Sequence, residues 1–332
     1  MLAETKDVVR CVLALCVVLG CSKATEPPAA ETRASEPAAK KPKSAADGFV
    51  LGVSQCNLGE PWRVQMNADI AQAAAKVPKL RLLIKDAQND SLRQRAQVEE
   101  LAGQGIDALL VSPKEAAPLT QPIAEVCKRG IPVIVLDRAV DGEAFTVFIG
   151  ADNQRIGREA GKYAQKLLGG KGKIVELQGL MTSKPAQDRH SGFLEGIALD
   201  ENPDLKIVFS ADMQWLEPNA RREMESALAK EPEISLVYAH NDPGAHGAYL
   251  AGKAAGRERK TKFIGIDALP HEGVHYVKEG ILDATFAYPT GGAEAVQVAL
   301  DILAGKTPPK RITLGTKIYT RENVERGGEE IR

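Results

Sequence analysis

The chain has 332 residues, of which 44% are hydrophobic and 26% are charged, and its formal net charge is −1. This composition is that of an ordinary soluble globular protein, and the length allows two domains that each bury a core. A net charge so close to zero leaves no electrostatic basis for binding nucleic acid.

A short apolar segment lies near the amino terminus. It spans residues 11–20, follows Lys6 and Arg10, and ends directly before Cys21. Ten residues of helix reach about 15 Å, too short to cross a bilayer core of about 30 Å. A basic start, a short apolar core and small residues at its end predict a signal peptide at residues 1–21. Because the end of this segment resembles a bacterial lipobox, we expect Cys21 to be lipidated; a plain signal peptide cleaved nearby is the alternative.

Residues 22–47 have a different composition. They are mostly Ala, Pro, Glu, Lys, Ser and Thr, without a large apolar residue. Such a segment cannot bury enough surface to fold, so we expect a disordered tether. An anchor followed by a tether is typical of a protein in the periplasm or at the cell surface, lipid-anchored to a bacterial membrane.

From residue 49 onward, short apolar segments alternate with amphipathic ones such as Arg93–Ala102 and Asn219–Ala229. This pattern predicts an α/β fold with parallel sheets flanked by helices. Ten strands would make one very wide open sheet, so we expect two Rossmann-like lobes of about five strands each. The predicted strands are Phe49–Ser54, Leu80–Asp86, Ala108–Ser112, Val133–Asp137, Phe145–Ile149, Lys173–Leu177, Leu205–Ser210, Leu236–Ala239, Lys262–Ile266 and Ala284–Ala287.

The strand that begins at Val133 ends in an adjacent acid and base, Asp137 and Arg138. Ligands of open parallel sheets bind at the carboxyl ends of the strands. A carboxylate beside a guanidinium suits a ligand that both donates and accepts hydrogen bonds, such as a polyol. The alternative is that the two side chains only pair with each other or with surface neighbours.

Similar groups follow other predicted strands. Trp62 and Arg63 come after the first strand, Asn241 and Asp267 follow two later ones, and Arg189 is predicted to open a helix. Single residues of this kind are often helix caps, and that interpretation is favoured for Asp90, Asp152 and Asp242.

The combined set is typical of a sugar site. Sugar hydroxyls need carboxylates, amides and guanidinium groups, while the C–H face of a sugar packs on aromatic rings. Trp62 and Trp215 are the two tryptophans of the chain and could supply such rings, although core packing is the alternative. We find no phosphate-binding glycine motif and no nucleophile with its base, so we expect neither an enzyme nor a cofactor.

A competing motif is His271-Glu272-Gly273-Val274-His275, which fits the zinc peptidase pattern H-E-x-x-H. That chemistry needs both histidines on one face of a helix. Here Pro270 precedes the motif and a glycine lies inside it, which favours a solvated helix start. A zinc-dependent hydrolase stays the less favoured alternative.

From about residue 48 to the end, the chain resembles the bacterial periplasmic sugar-binding proteins of the ribose-binding type, which serve ABC transporters. The Ser-Gln…Trp-Arg and Tyr-Ala-His-Asn-Asp elements look most like the galactofuranose-binding branch. The segments that carry the resemblance are Ser54-Gln55 with Trp62-Arg63, Ile131–Arg138, Gly150–Asn153, Val175–Gly179 with Asp188-Arg189 and Gly192-Phe193, Val237–Asp242, and Ile264–Asp267.

The resemblance implies a hinge of three crossovers between two interleaved lobes, residues 48–150 plus 288–312 and residues 151–287 plus 313–324. It also implies a monomer that binds one monosaccharide by hinge closure and delivers it to an ABC permease, or senses it for a signalling receptor. Tyr288 stands where the ribose proteins have Gln, and Arg63 where they have a second aromatic residue. The sugar is therefore left open as a pentose or hexose, furanose forms included. The implied ligand residues are Trp62, Arg63, Asp137, Arg138, Arg189, Trp215, Asn241, Asp267 and Tyr288.

Two of the five cysteines, Cys56 and Cys127, lie beyond the signal peptide and Cys21. A disulfide between them is conceivable in an exported protein. Cys56 follows a predicted strand and Cys127 falls within a predicted helix, and a bridge requires specific Cα spacing. The pairing stays open at this point.

Overall fold

The computed structural model describes residues 48–331. The predicted signal peptide, the lipidation site Cys21 and the tether lie outside the described residues. No helix within 48–331 combines the length and the apolar character needed to cross a membrane.

The first lobe is built around a six-stranded sheet in which every pair of neighbouring strands is parallel. Its inner strands are short runs of Val, Ile and Leu that are buried along their whole length, as expected for a sheet covered on both faces. The strands, in their order across the sheet, are β11 (Arg311–Leu314), β5 (Val147–Ala151), β4 (Val133–Leu136), β3 (Ala108–Ser112), β1 (Val50–Gln55) and β2 (Arg81–Asp86).

The second lobe is built around a seven-stranded sheet. The strands, in their order across the sheet, are β13 (Glu329–Glu330), β12 (Lys317–Thr320), β10 (Ala284–Ala287), β9 (Lys262–Asp267), β8 (Leu236–Ala239), β6 (Gly172–Gln178) and β7 (Leu205–Asp212). Five of these strands, β6 to β10, are parallel, and the other two, β12 and β13, pair antiparallel at one edge.

The helices cover both faces of the two sheets. α1 shows how: Met66, Ile70 and Ala74 recur at four-residue spacing and are buried against the first sheet. The first lobe contains α1 (Pro61–Ala75), α2 (Ser91–Gly103), α3 (Ala116–Lys128) and α9 (Gly292–Leu303). The second contains α4 (Asn153–Leu168), α5 (Lys184–Ile197), α6 (Glu217–Lys230), α7 (Asp242–Ala254) and α8 (Gly273–Lys278), with a 3₁₀ turn at Val324–Arg326.

The chain passes between the two sheets three times, after β5, after β10 and after β11. The predicted fold class, two α/β lobes joined by a three-crossover hinge, is therefore confirmed. Because the crossovers lie beside the carboxyl ends of β5, β10 and β11, these strand ends lie next to the boundary between the lobes.

Some element ends differ from the prediction. β4 ends at Leu136 rather than at residue 137, because Asp137 has the left-handed backbone angle φ 62° and cannot continue a strand. Helix α5 begins at Lys184, with Ser183 before it and Pro185 in its first turn. Arg189 therefore lies in the second turn of α5 and does not open the helix.

The caps were predicted correctly at two of three positions. Asp90 accepts hydrogen bonds from the amides of residues 92 and 93, and Asp152 accepts one from that of residue 155. Asp242 is different, because Asn241 caps α7 in its place. The buried carboxylate of Asp242 instead accepts hydrogen bonds from Thr285 Oγ1 (2.6 Å) and Ala268 N (2.7 Å), and so ties α7 to β9 and β10.

The two cysteines are free thiols. Cys56 directly follows β1, at the carboxyl edge of the first sheet, whereas Cys127 Sγ lies 3.9 Å from Thr146 Oγ1, which precedes β5 at the opposite edge. The bridge that the sequence left open is not formed, since the two side chains lie at opposite ends of the strands.

Candidate functional site

A small cavity lies where the carboxyl ends of strands from both lobes meet. Its empty volume, counted out to where the cavity opens to solvent, is about 270 Å³. All nine side chains proposed from the sequence line it, together with Glu60 and Pro185: Trp62, Arg63, Asp137, Arg138, Arg189, Trp215, Asn241, Asp267 and Tyr288.

On the first-lobe side, Arg63 and Asp137 form a buried ion pair. Arg63 Nη2 donates to Asp137 Oδ2 at 2.7 Å, and Arg63 Nη1 donates to Ser112 Oγ at 2.7 Å. Burial raises the pKa of Asp137, but the charges of Arg63 and Arg138 outweigh it and hold the pKa below its usual value. Asp137 is therefore ionised and compensated, and its nearest cation is Arg63 rather than Arg138, whose Nε is 3.7 Å away.

Tyr288 directly follows β10 and touches both lobes. Its hydroxyl donates to Asp137 Oδ1 at 2.6 Å and accepts from Asn153 Nδ2 at 3.2 Å. Its carbonyl accepts from Trp62 Nε1 at 2.6 Å, and the two rings stack with centroids 5.0 Å apart. Tyr288 thus connects a first-lobe carboxylate to the start of α4.

Arg189 reaches the cavity from α5. Its Nε donates to Asn153 Oδ1 at 2.9 Å and its Nη1 donates to the carbonyl of His240. The guanidinium lies 4.4 Å from the ring centroid of Tyr288 and 5.3 Å from that of Trp215. These contacts fix the plane of the guanidinium, so its remaining N–H groups have a set direction.

A buried carboxylate on β6 helps to fix His240, the residue whose carbonyl Arg189 contacts. Glu176 on β6 is fully buried, and its oxygens lie 3.0 Å from His240 Nε2 and 2.8 Å from His190 Nδ1. Burial raises the pKa of Glu176, but the hydrogen bonds from the two histidines outweigh it and bring the pKa to about 2. This network holds the end of β8, whose carbonyl at His240 binds Arg189.

Asn241 and Trp215 lie together in the second lobe. Asn241 accepts from Gly244 N at 2.9 Å as the cap of α7 and donates to the carbonyl of Trp215 at 2.9 Å. Trp215 has φ 69°, and its ring lies so close to Gly179 that a Cβ there would be 2.3 Å from Cη2. The ring position is thereby fixed, and Trp215 Nε1 is buried without a hydrogen-bond partner among the described residues.

Asp267 is the second carboxylate that had been proposed. Among residues 48–331 no donor hydrogen-bonds to its side chain, and the nearest cation, Arg189 Nη1, is 4.0 Å away. Burial raises its pKa well above the usual value, and Asp242 and Glu272 raise it further while Arg189 opposes them. Its acceptor atoms remain available to a ligand.

Arg138 completes the set of groups with unused hydrogen-bonding capacity. Its Nη1 donates to the carbonyl of Lys114 at 3.1 Å, while its buried Nε, 3.7 Å from Asp137 Oδ2, makes no hydrogen bond in the described part of the chain. Asp267, Arg138 and Trp215 therefore supply both acceptors and donors around a cavity with aromatic walls. This combination can hold an uncharged polyhydroxy molecule.

The sequence analysis did not select Glu60, Pro185 or Asn153. Glu60 lies directly before α1, accepts from Asn57 at 2.9 Å, and lies 3.5 Å from Arg63 Nε and 3.8 Å from Arg138 Nη2. The Glu-Pro pair at the start of a predicted helix was the available signal for Glu60. Nothing in the sequence indicates that Asn153 would connect Tyr288 to Arg189, because that contact spans both lobes.

The zinc motif does not form a metal site. Helix α8 begins at Gly273, so His271 precedes the helix and does not share a face with His275. Within residues 48–331, no group of three His, Cys, Asp or Glu side chains is placed to hold a metal ion. The zinc-dependent hydrolase alternative is therefore wrong, because it requires both histidines on one face of a helix.

Comparison with known proteins places the chain in a family. Residues 51–307 match the periplasmic binding protein domain. The chain is 31% identical to the ribose import binding protein RbsB of Bacillus subtilis (strain 168), over 82% of this chain and 88% of that protein. It is also 31% identical to the galactofuranose-binding protein YtfQ of Escherichia coli (strain K12), over 70% and 75%.

A solved structure agrees with these relatives. The fructose-binding periplasmic domain of the hybrid two-component system BT1754 superimposes with a TM-score of 0.80 and 43% identity, covering 83% of this chain and 92% of that one. The matching family model and the fold agree with the prediction from sequence. So do the relatives, which are sugar-binding proteins and not enzymes. The chain belongs to the periplasmic binding protein family, in its ribose-binding, sugar-binding type.

Proposed function

We propose that the chain captures one monosaccharide in the cavity between its lobes and delivers it to an ABC permease. The observation that carries this proposal is the convergence of charged and aromatic side chains from both lobes on one cavity. The first lobe provides Arg138, whose Nε makes no hydrogen bond within residues 48–331, and the second provides the carboxyl of Asp267, which accepts none there. A ligand that bridges these groups stabilises the closed form through contacts that an open form lacks.

The ligand class follows from the chemistry of the lining. The arginines Arg63, Arg138 and Arg189 formally balance the carboxyls of Glu60, Asp137 and Asp267. A balanced site favours a neutral ligand, and many hydroxyls are needed to use donors and acceptors that lie so close together. The names of relatives specify ribose, galactofuranose and fructose, which supports a pentose or hexose and includes furanose forms.

A thermal-shift screen tests the proposal. The panel contains D-ribose, D-fructose, L-arabinose, D-xylose, D-galactose and D-glucose, with disaccharides as larger probes. A ligand at a hundred times its Kd stabilises the folded state by about 2.7 kcal/mol, which should raise Tm by several degrees. At least one monosaccharide should give such a shift, and an unchanged Tm with every sugar, together with no binding heat, would contradict the proposal.

Sensing is a second candidate function, favoured by the 43% identity to the binding domain of a hybrid two-component system. Deletion of the gene for this protein from its own bacterium distinguishes uptake from sensing. Uptake requires that transport of the labelled sugar falls in the deletion strain. Sensing requires that transport is retained while the transcriptional response to the sugar is lost.

The lipid anchor is proposed from sequence alone, because Cys21 lies outside the described residues. Supporting features are the apolar segment that ends at Cys21 and a family whose members work outside the cytoplasm. Labelling of cells with radioactive palmitate should mark the wild-type protein and leave Cys21→Ala unlabelled. Equal labelling of both would contradict the anchor and leave sugar binding untouched.

A further inference from the structure

We propose that Tyr288 sets the upper size limit of the ligand, with its ring as a fixed end wall of the cavity. This inference rests on the proposed function, since it concerns which monosaccharides fit. Tyr288 is 3% exposed and lines this small cavity. In a space this small, a single additional carbon with its hydroxyl decides whether a sugar fits.

The ring is held by contacts with its neighbours on both lobes. It stacks on Trp62 at 5.0 Å, and the guanidinium of Arg189 lies 4.4 Å from its centroid. The hydroxyl is fixed at the same time, because it donates to Asp137 and accepts from Asn153. A ring held at its face and at its far end cannot move aside for a larger ligand without breaking these contacts.

The same hydrogen bond limits what Asp137 can offer. Arg63 occupies Asp137 Oδ2 and Tyr288 occupies Oδ1, whereas Asp267 has no such partners within residues 48–331. Asp137 and Tyr288 therefore act mainly as a rigid wall. The open hydrogen-bonding capacity lies with Asp267, Arg138 and Trp215, so the ligand is bound firmly there and limited in length at Tyr288.

Variants of Tyr288 separate the ring from the hydroxyl. Tyr288→Gln and Tyr288→Leu remove ring volume, whereas Tyr288→Phe keeps the ring and removes the hydroxyl. Tyr249→Phe is the matched control, because Tyr249 lies on α7 against Phe263 and outside the cavity. Either small variant suffices if the other fails to fold, and circular dichroism identifies the folded ones.

Titration calorimetry with two sugar pairs gives the readout. D-Xylose with D-glucose, and L-arabinose with D-galactose, differ by one hydroxymethyl group. The small variants should shift the affinity ratio toward the larger sugar by about 10-fold or more. Tyr249→Phe should keep the wild-type ratio within about 2-fold, whereas Tyr288→Phe should shift it less than the small variants do, because it keeps the ring volume and loses only the hydroxyl contacts.

The outcomes distinguish this inference from the proposed function. If the wild type binds no monosaccharide, the proposed function fails. If the wild type binds and the folded small variants keep its ratio or shift it toward the smaller sugar, only the role of Tyr288 fails. A shift in Tyr288→Phe as large as in Tyr288→Gln would also overturn it, because the ring would then not be the wall.

Discussion

The two aspartates of the site differ in what surrounds them, and this predicts different consequences of mutation. Asp137 compensates the buried Arg63 at 2.7 Å, so Asp137→Asn removes the nearest counter-charge of a buried guanidinium and leaves only Glu60, at 3.5 Å, on it. We expect the unfolding free energy to fall by about 3 kcal/mol. Asp267 has no hydrogen-bond donor in the described chain, so Asp267→Asn should leave stability unchanged or raise it while sugar affinity falls about 10- to 100-fold.

Urea unfolding and calorimetry of the two variants check this contrast. Asp137→Asn should lower the unfolding free energy, whereas Asp267→Asn should lower the sugar affinity without a loss of stability. Equal stability of both variants would show that Asp137 and Arg63 do not compensate each other. Wild-type sugar affinity in Asp267→Asn would remove Asp267 from the site.

Asp242 makes stability depend on pH. Burial raises its pKa to about 7, although Thr285 and Ala268 donate hydrogen bonds to it. An unfolded carboxyl titrates near 3.9, so between about pH 4 and 7 the folded state binds a proton that the unfolded state has lost. Stability conferred by protonated Asp242 is therefore lost as the pH rises through this window.

Asp242→Asn removes this titration, together with the part of the raised pKa of Asp267 that the charge of Asp242 causes, and leaves other titrating groups such as the buried His240 in place. The difference in unfolding free energy, wild type minus variant, should decrease as the pH rises from 5 to 8. Urea midpoints at one-unit pH intervals measure it. A difference that stays constant, or that increases with pH, would mean that Asp242 does not take up a proton on folding.

At the scale of elements, α4 and α5 pack through glycines. A Cβ at Gly192 would lie 2.1 Å from the carbonyl oxygen of Gln154, and one at Gly157 would lie 2.4 Å from that of Arg189. Such contacts allow the backbones to approach closely, which places Arg189 beside Asn153 at the start of α4. The position of the guanidinium therefore depends on helix packing.

Gly192→Ala tests this dependence. The added methyl meets backbone rather than a flexible side chain, so we expect a loss of about 1–3 kcal/mol and a displaced Arg189 with weaker sugar binding. Gly103→Ala, at the end of α2 with open space around it, is the control and should gain about 0.4–1 kcal/mol. If Gly192→Ala behaves like Gly103→Ala, the helices have room to separate and the close packing is not required.

The elements also show how far sequence reasoning extends. Strands such as β3 and β8 were predicted at their observed bounds, because buried parallel strands are recognisable as short runs of apolar residues. The strands β11 and β12 were not, since both are short and half polar and are defined by their pairing with β5 and β10. The local pattern of apolar and polar residues does not show which distant strands pair with each other.

The candidate site divides in the same way. Strand ends can be recognised in the sequence, and all nine residues proposed largely on that basis line one cavity. Their binding of a sugar stays a prediction. The roles within the cavity depend on contacts between distant segments. Asp242 resembled a cap because it follows Asn241, and only the three-dimensional fold brings it to Thr285.

For the whole molecule, closure should be measurable through its tryptophans. The chain has two, Trp62 in the first lobe and Trp215 in the second, and in the closed cavity they are 4% and 6% exposed. An open form would expose both rings to water, because each is covered by residues of the opposite lobe or of the hinge: Tyr288 stacks on Trp62, and Arg138 lies 5.8 Å from the Trp215 ring.

Acrylamide quenching should therefore fall when the sugar found in the screen saturates the protein. Trp62→Phe and Trp215→Phe each leave one reporter, so protection in both variants would show that both walls close together, as a hinge requires. We expect the quenching constant of each to drop to roughly half or less. Asp267→Asn should need about 10- to 100-fold more sugar for the same drop, and protection of one tryptophan without the other would contradict closure of the two lobes as rigid bodies.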